Sequence, residues 1–185
     1  VPYWVLDRKY SLDENGQHEE DNGSENMIIH GDNLIALKSL LPQYEGRIKC
    51  IYIYPPYNTG EEGWVYNDNV NDPQIKKWLG ETVGKQGEDL SRHDKWLCMM
   101  YPRLRLLQKL LAEDGVIFIN IGEDEHSNLK LICDEIFSAR NYITDFSRQM
   151  KSGGAKGHYY TPSLDYILAY AKNINVLPYF RAVMT

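Results

Sequence analysis

Cysteine is scarce. The chain has three in 185 residues, Cys50, Cys98 and Cys133, far apart and odd in number, with no Cys-x-x-Cys pair. Neither a disulfide framework nor a thiolate zinc site fits that pattern, and a reducing, cytoplasmic setting is the default expectation. Long apolar runs are missing too: nothing approaches the roughly 20 residues of a membrane-spanning helix. The opening Val1-Pro2-Tyr3-Trp4 lacks the basic-then-apolar order of a secretory leader. No Gly-x-Gly-x-x-Gly occurs, so the dinucleotide fingerprint is excluded, and Gly153-Gly154 does not make one. Positive charge is in deficit. The net charge is -6; residues 1–26 hold two basic and seven acidic residues, net -5, which leaves -1 for the rest. An acidic balance argues against indiscriminate nucleic-acid binding, but a nearly neutral body leaves room for a local basic surface.

What is present centres on residues 51–60, IYIYPPYNTG. Ile51, Tyr52 and Ile53 read as a short buried strand, β-branched and aromatic, stopped by a breaker. Pro55 and Pro56 fix φ and bring no N–H, so a ladder cannot pass through them. Their carbonyls are left to accept hydrogen bonds from outside the sheet. With the Tyr57 ring beside them, such a strand end suits a flat group that carries an amine.

Around this stretch the chain reads as α/β. Residues 27–30 read as a strand ended by Gly31-Asp32-Asn33, and Leu34, Leu37, Leu40 and Leu41 recur at helical spacing after it. Asp32 or Asn33 would cap that helix. With the strand over 48–53 this makes a parallel βαβ unit, whose ligands sit beyond the carboxyl ends of the strands. Residues 13–26 read as an exposed loop. Residues 58–90 read as a long insertion, either a lid or an ordinary surface loop, with a short helix over 73–79. Trp96, Leu97, Met100, Leu104, Leu107 and Leu111 form the apolar stripe of a helix over 91–112, which Pro102 is expected to kink or split. A strand over 116–121 follows. Gly122-Glu123-Asp124-Glu125 lacks a calcium-loop pattern and reads as carboxylates at the positive end of a helix; His126 reads as a surface residue. Strands are expected over 142–146 and 165–170. The basic, glycine-containing stretch 148–158 between them is either a phosphate-contacting loop or a solvated hairpin loop.

Tyr54-Pro55-Pro56-Tyr57 resembles motif IV of the DNA amino-methyltransferases, usually Asp-Pro-Pro-Tyr in the adenine-N6 branch. The continuation Asn58-Thr59-Gly60 and the string WLCMMYPRLRLLQKLLAEDGVIFINI over 96–121 are similar to the modification subunits of type III restriction-modification systems. The resemblance covers residues 26–173. It implies a Rossmann-like methyltransferase sheet with flanking helices, circularly permuted. That sheet is incomplete here, because the Phe-x-Gly-x-Gly cofactor loop is absent and its strands belong between 27–30 and 48–53. On this reading residues 1–26 are an arm and polar loop, 27–173 a partial catalytic domain, and 174–185 the start of a segment that looks cut.

The resemblance also implies chemistry. S-adenosylmethionine is the methyl donor, with Asp32, Asn33 and Tyr54 on the cofactor side; for Asp32 the helix cap stands as the alternative. Binding of the donor to this segment alone is expected to be weak. The substrate is an adenine flipped out of double-stranded DNA. Tyr54, Pro55, Pro56 and Tyr57 form the catalytic motif, Tyr57 and Asn58 meet the base, and Arg148, Lys151, Lys156 and His158 face DNA. Implied partners are the remainder of the same modification subunit, a second modification subunit and a restriction subunit. No membrane and no metal are called for.

One position departs from the family. Its Asp is Tyr54 here, and a neutral phenol cannot supply a carboxylate's charge-assisted acceptor. The expectation is therefore an impaired or inactive enzyme. A pseudo-methyltransferase that binds DNA or a restriction subunit is the alternative. Methylation of a glutamine amide or an RNA base is a third reading, disfavoured because those enzymes usually carry Asn at the first motif position and by the long match over 91–137.

Overall fold

A computed structural model describes residues 5–59, 87–149 and 163–180 (of 87–92 the backbone only). Two short strands, β1 (Ser11–Asp13) and β2 (Gly16–His18), pair antiparallel. This hairpin runs into the stretch 13–26 expected as a plain loop; it turns at Glu14 and Asn15, and Gly16 opens β2 at φ 115°. Helix α1 (Asn33–Tyr44) is capped by Asp32, whose Oδ1 accepts from the Ile35 N–H at 3.0 Å. Strand β3 (Ile48–Ile53) leads to the rim loop. Helix α2 (Gly87–Leu110) runs directly into β4 (Leu111–Ile121), which lies parallel to β3. Helix α3 (Glu123–Cys133) continues as a π turn (Asp134–Ser138) and a 3-10 turn (Ala139–Asn141). Strands β5 (Tyr142–Gln149) and β6 (Leu164–Ala171) complete a four-stranded mixed sheet, order β3-β4-β6-β5, with β6 antiparallel to both neighbours.

The α/β class is the one expected, and the strands over 48–53, 116–121, 142–146 and 165–170 form, the last three longer than expected; β4 begins at Leu111, the residue expected to close the helical stripe over 91–112. Two local expectations fail. Residues 27–30 form no strand; they are exposed, Ile28 completely. An apolar run becomes a strand only where a neighbour offers a ladder, and among the described residues β3 pairs with β4 alone. The βαβ unit from 27–30 to 48–53 therefore does not form, and Asp32 does not end a strand. Pro102 does not split its helix either. It removes one backbone bond, but Trp96, Leu97, Met100, Leu104 and Leu107 are buried on both sides of it. Each such side chain contributes roughly 1.5–3 kcal/mol on burial, which outweighs the proline's cost of about 3 kcal/mol.

The core lies on one face of the sheet. Ile51, Ile117, Ile119, Ile121, Leu168 and Tyr170 pack there with Trp96, Leu104, Leu129 and Ile132 of α2 and α3. The other face carries the exposed Tyr52 and Phe146, with Phe118 edged by Phe146 and Phe180.

Candidate active site

The rim is where β3 stops. Tyr54, Pro55, Pro56, Tyr57 and Asn58 leave the sheet beside the carboxyl end of β4, where Ile53 pairs with Ile119. Pro55 is buried and Tyr54 exposed. The Trp96 indole donates from α2 to the Pro56 carbonyl at 2.8 Å. That corrects one expectation: of the two proline carbonyls, the second is already engaged inside the protein. No hydrogen bond among the described residues goes to the Pro55 carbonyl, the one the resemblance assigns to the amine.

The Tyr57 ring is held from several sides. Its centroid is 5.2 Å from that of Tyr54, the planes 23° apart, so the two rings stack. Gly122, between β4 and α3, lies against it: a Cβ there would come within 2.9 Å of Tyr57 Cδ2. The Tyr57 hydroxyl is 3.4 Å from Asp165 Oδ2, long for a hydrogen bond. Asp165 is buried, and Arg148 donates to the same oxygen at 2.5 Å. Burial pushes the Tyr57 hydroxyl above the usual tyrosine range, Tyr54 reinforces this, Asn120 opposes it, and the Asp165 charge adds to it. Tyr57 is thus a neutral donor with one ring face covered by Tyr54.

Beyond Tyr57 the chain turns through Asn58, at φ 59° and buried. Its side-chain amide donates to Glu125 Oε1 of α3. Glu125 is wholly buried, and His93 Nδ1 lies 2.6 Å from the same oxygen while Asn128 donates to Oε2 at 2.8 Å. Sequence reasoning assigned Glu125 only to the helix terminus; the signal that would have separated it from Glu123 and Asp124 is its place against the motif loop, which needs the fold.

Of the other residues singled out, Arg148 reaches the rim through Asp165, its register partner. Lys151, Lys156 and His158 lie outside the described residues, as does the expected helix over 73–79. Asp32 and Asn33 sit at the start of α1, where Asp32 caps and Asn33 accepts from Arg103 Nε at 2.7 Å; neither bond touches the rim. His126 is half-buried rather than a surface residue: its Nε2 is 2.8 Å from Asp145 Oδ2 and its ring packs on Tyr166. Among the described residues no helix is long and apolar enough to cross a membrane, and no three His, Cys, Asp or Glu side chains cluster to hold a metal ion.

The N6/N4 DNA methylase family matches residues 48–183. The chain is similar to the Mod subunit of the type III restriction-modification enzyme EcoPI of Escherichia phage P1, 38% identical over 170 residues, 86% of this chain and 26% of that protein. It is equally similar to the Mod subunit of the type III enzyme EcoP15I of Escherichia coli, 38% identical over 166 residues, 85% of this chain and 26% of that one. The type II methyltransferase M.KpnI of Klebsiella pneumoniae is 28% identical over 166 residues, 89% of this chain and 37% of its own length. The chain spans about a quarter of the length of the type III relatives.

Proposed function

The chain belongs to the N6/N4 DNA methylase family, and from that premise we propose that it is the base-receiving part of an adenine-N6 DNA methyltransferase of the type III modification kind, weakened by Tyr54. The observation that carries the proposal is the rim: a doubled proline at a strand end, a Pro55 carbonyl that accepts no hydrogen bond from the described residues, and a tyrosine ring fixed beside it. An adenine flipped from the duplex would stack on the aromatic pair. Its amine is a poor nucleophile, because the lone pair is delocalised into the ring. Hydrogen bonds from both N–H groups localise that pair, and Pro55 can accept one of them. The second acceptor in the family is the motif carboxylate.

Tyr54 replaces that carboxylate. Its ring covers one face of Tyr57 and offers no anionic acceptor. Losing one such contact costs about 2.7–4 kcal/mol, roughly a hundred- to thousandfold in rate. S-adenosylmethionine, when bound, supplies the methyl group. Asp32 has one oxygen not used in its cap, which fits the acidic contact to the donor's adenine. Double-stranded DNA is the substrate, and the rest of the modification subunit, a second one and a restriction subunit are the partners this reading calls for.

The test is Tyr54→Asp in the complete protein. Methyl transfer to DNA should rise by roughly two to three orders of magnitude. Equal activity before and after would refute the impairment. The alternative, a DNA-binding pseudo-methyltransferase, is favoured by the Tyr54–Tyr57 stack, because it covers the face on which the base would rest. It predicts DNA binding with no transfer even after Tyr54→Asp.

A further inference from the structure

A buried carboxylate outside residues 54–58 lies against the rim. Glu125 is fully buried in the first turn of α3, and three donors from three segments converge on it: Asn58 from the rim, His93 from α2 and Asn128 from its own helix. A carboxylate only accepts, so three donors match its two oxygens with nothing left to conflict. The helix N-terminus favours negative charge at this point. A buried carboxylate is costly unless paired and hydrogen-bonded in this way. Surface helix ends take their acids at no such cost, as Glu123 and Asp124, both exposed, do.

The partner explains the placement. Asn58 is one of two non-glycine residues with positive φ among those described. Left-handed backbone is unfavourable for residues with a Cβ, and asparagine tolerates it best. That turn directly follows Pro55, Pro56 and Tyr57. We propose that Glu125 is the positioning residue of the rim: by accepting from Asn58 it locks that left-handed turn, and so aims the Pro55 carbonyl and the Tyr57 ring at an incoming base. His93 holds the carboxylate in place from α2, the helix that also grips Pro56 through Trp96. The inference rests on the reading of residues 54–57 as a base-receiving rim.

The roles are separable by variants of this chain read by NMR. Glu125→Gln keeps an oxygen for Asn58 and His93, and an amide flip of Asn128 satisfies its new donor. Glu125→Leu keeps the approximate size and removes every acceptor. In Glu125→Leu the Asn58 side-chain amide protons should exchange at least about tenfold faster. Its HN–Hα coupling should leave the left-handed value, while backbone amides of Ile119 and Leu168 keep their protection. Glu125→Gln should restore Asn58 nearly to the parent. The proposal is overturned if Asn58 is unchanged in Glu125→Leu while the core amides stay protected, or if Glu125→Gln is as damaging as Glu125→Leu. Should Glu125→Leu not fold, Asn58→Gly and Asn58→Ala decide: glycine accepts positive φ, so the Tyr54–Tyr57 near-ultraviolet signal should survive better in Asn58→Gly, and equal loss overturns the proposal. A DNA strand carrying 2-aminopurine tests the functional premise separately. Its quenching by the parent and loss in Glu125→Leu supports aiming at a base. No quenching by the parent counts against the base-receiving reading, and the Asn58 measurements still decide the positioning.

Discussion

Two stretches of this chain look alike on paper: 27–33 and 51–58. Each is a short apolar run ended by a breaker and a polar residue, and each reads as a strand delivering ligand groups to a cleft. They end differently. The second is a paired strand whose exit is tied to α2 by Trp96, to α3 by Glu125 and to β6 by Asp165. The first is exposed, and among the described residues its side-chain ties are the cap that Asp32 gives α1 and the bond Asn33 accepts from Arg103. An apolar run therefore specifies the wish for a partner, while the partner's presence specifies the strand. The practical lesson is that substitutions at residues packed on the rim should cost stability, and those at 27–31 should cost little.

The most damaging way to probe that contrast is Trp96→Ala. Trp96 is wholly buried and holds the Pro56 carbonyl, so its loss should cost about 3–5 kcal/mol of unfolding free energy in urea. Trp96→Phe, which fills much of the space but leaves the carbonyl unpartnered, should cost about 1–3 kcal/mol. Ile28→Ala, at a fully exposed position, should stay within about 0.5 kcal/mol. A comparable loss at Ile28 would mean that the 27–30 stretch is packed after all.

A smaller effect comes from a glycine in each region. Gly122 has extended backbone at φ -83° and ψ 174°, open to any residue. What Gly122→Ala meets is the Tyr57 ring, 2.9 Å from the new Cβ. It should cost about 1–3 kcal/mol as overpacking and change the near-ultraviolet signal of the Tyr54–Tyr57 pair. Gly31 is the reverse: φ is 150°, yet nothing lies within 4 Å of an added Cβ. Gly31→Ala should strain only its own backbone and leave the tyrosine signal alone. If both variants move that signal equally, the ring is not held where Gly122 puts it.

The sequence made the sheet and the rim legible for physical reasons that can be named. The stripe Trp96, Met100, Leu104, Leu107 announced its helix because burial repeats every three or four residues, and Pro55-Pro56 announced a strand end because proline cannot donate. Glu125 was not legible. In sequence it is the third acid of a helix start, and only the approach of Asn58 and His93 separates it from its exposed neighbours. Asp165 was hidden for a similar reason: its contact with Tyr57 depends on the register that sets it opposite Arg148. Residues 27–30 misled because periodicity reports the preference of a segment and says nothing of what lies beside it.

The rim also keeps one imbalance that the amino-terminal stretch lacks, and it gives the smallest of these effects. Asp94, two residues before Trp96, has its Oδ1 buried without a hydrogen-bond partner among the described residues. Burial raises its carboxyl pKa above the ordinary 3.8, with His93 pulling the other way. The sign follows from proton counting. Between the unfolded and the raised folded value the folded protein binds more protons than the unfolded chain, so stability falls as pH rises through that window. Below the unfolded value the cost is absent; above the folded value it is present in full. Asp94→Asn removes the charge and hence the slope. Its Tm at pH 7 should exceed the parent's by about 1–3 °C, and the gain should shrink toward zero near pH 3. Asp32→Asn, which preserves a good cap, should leave Tm at pH 7 nearly unchanged. A gain for Asp94→Asn that is the same at both pH values would assign the benefit to packing and remove the buried charge from the account of the rim.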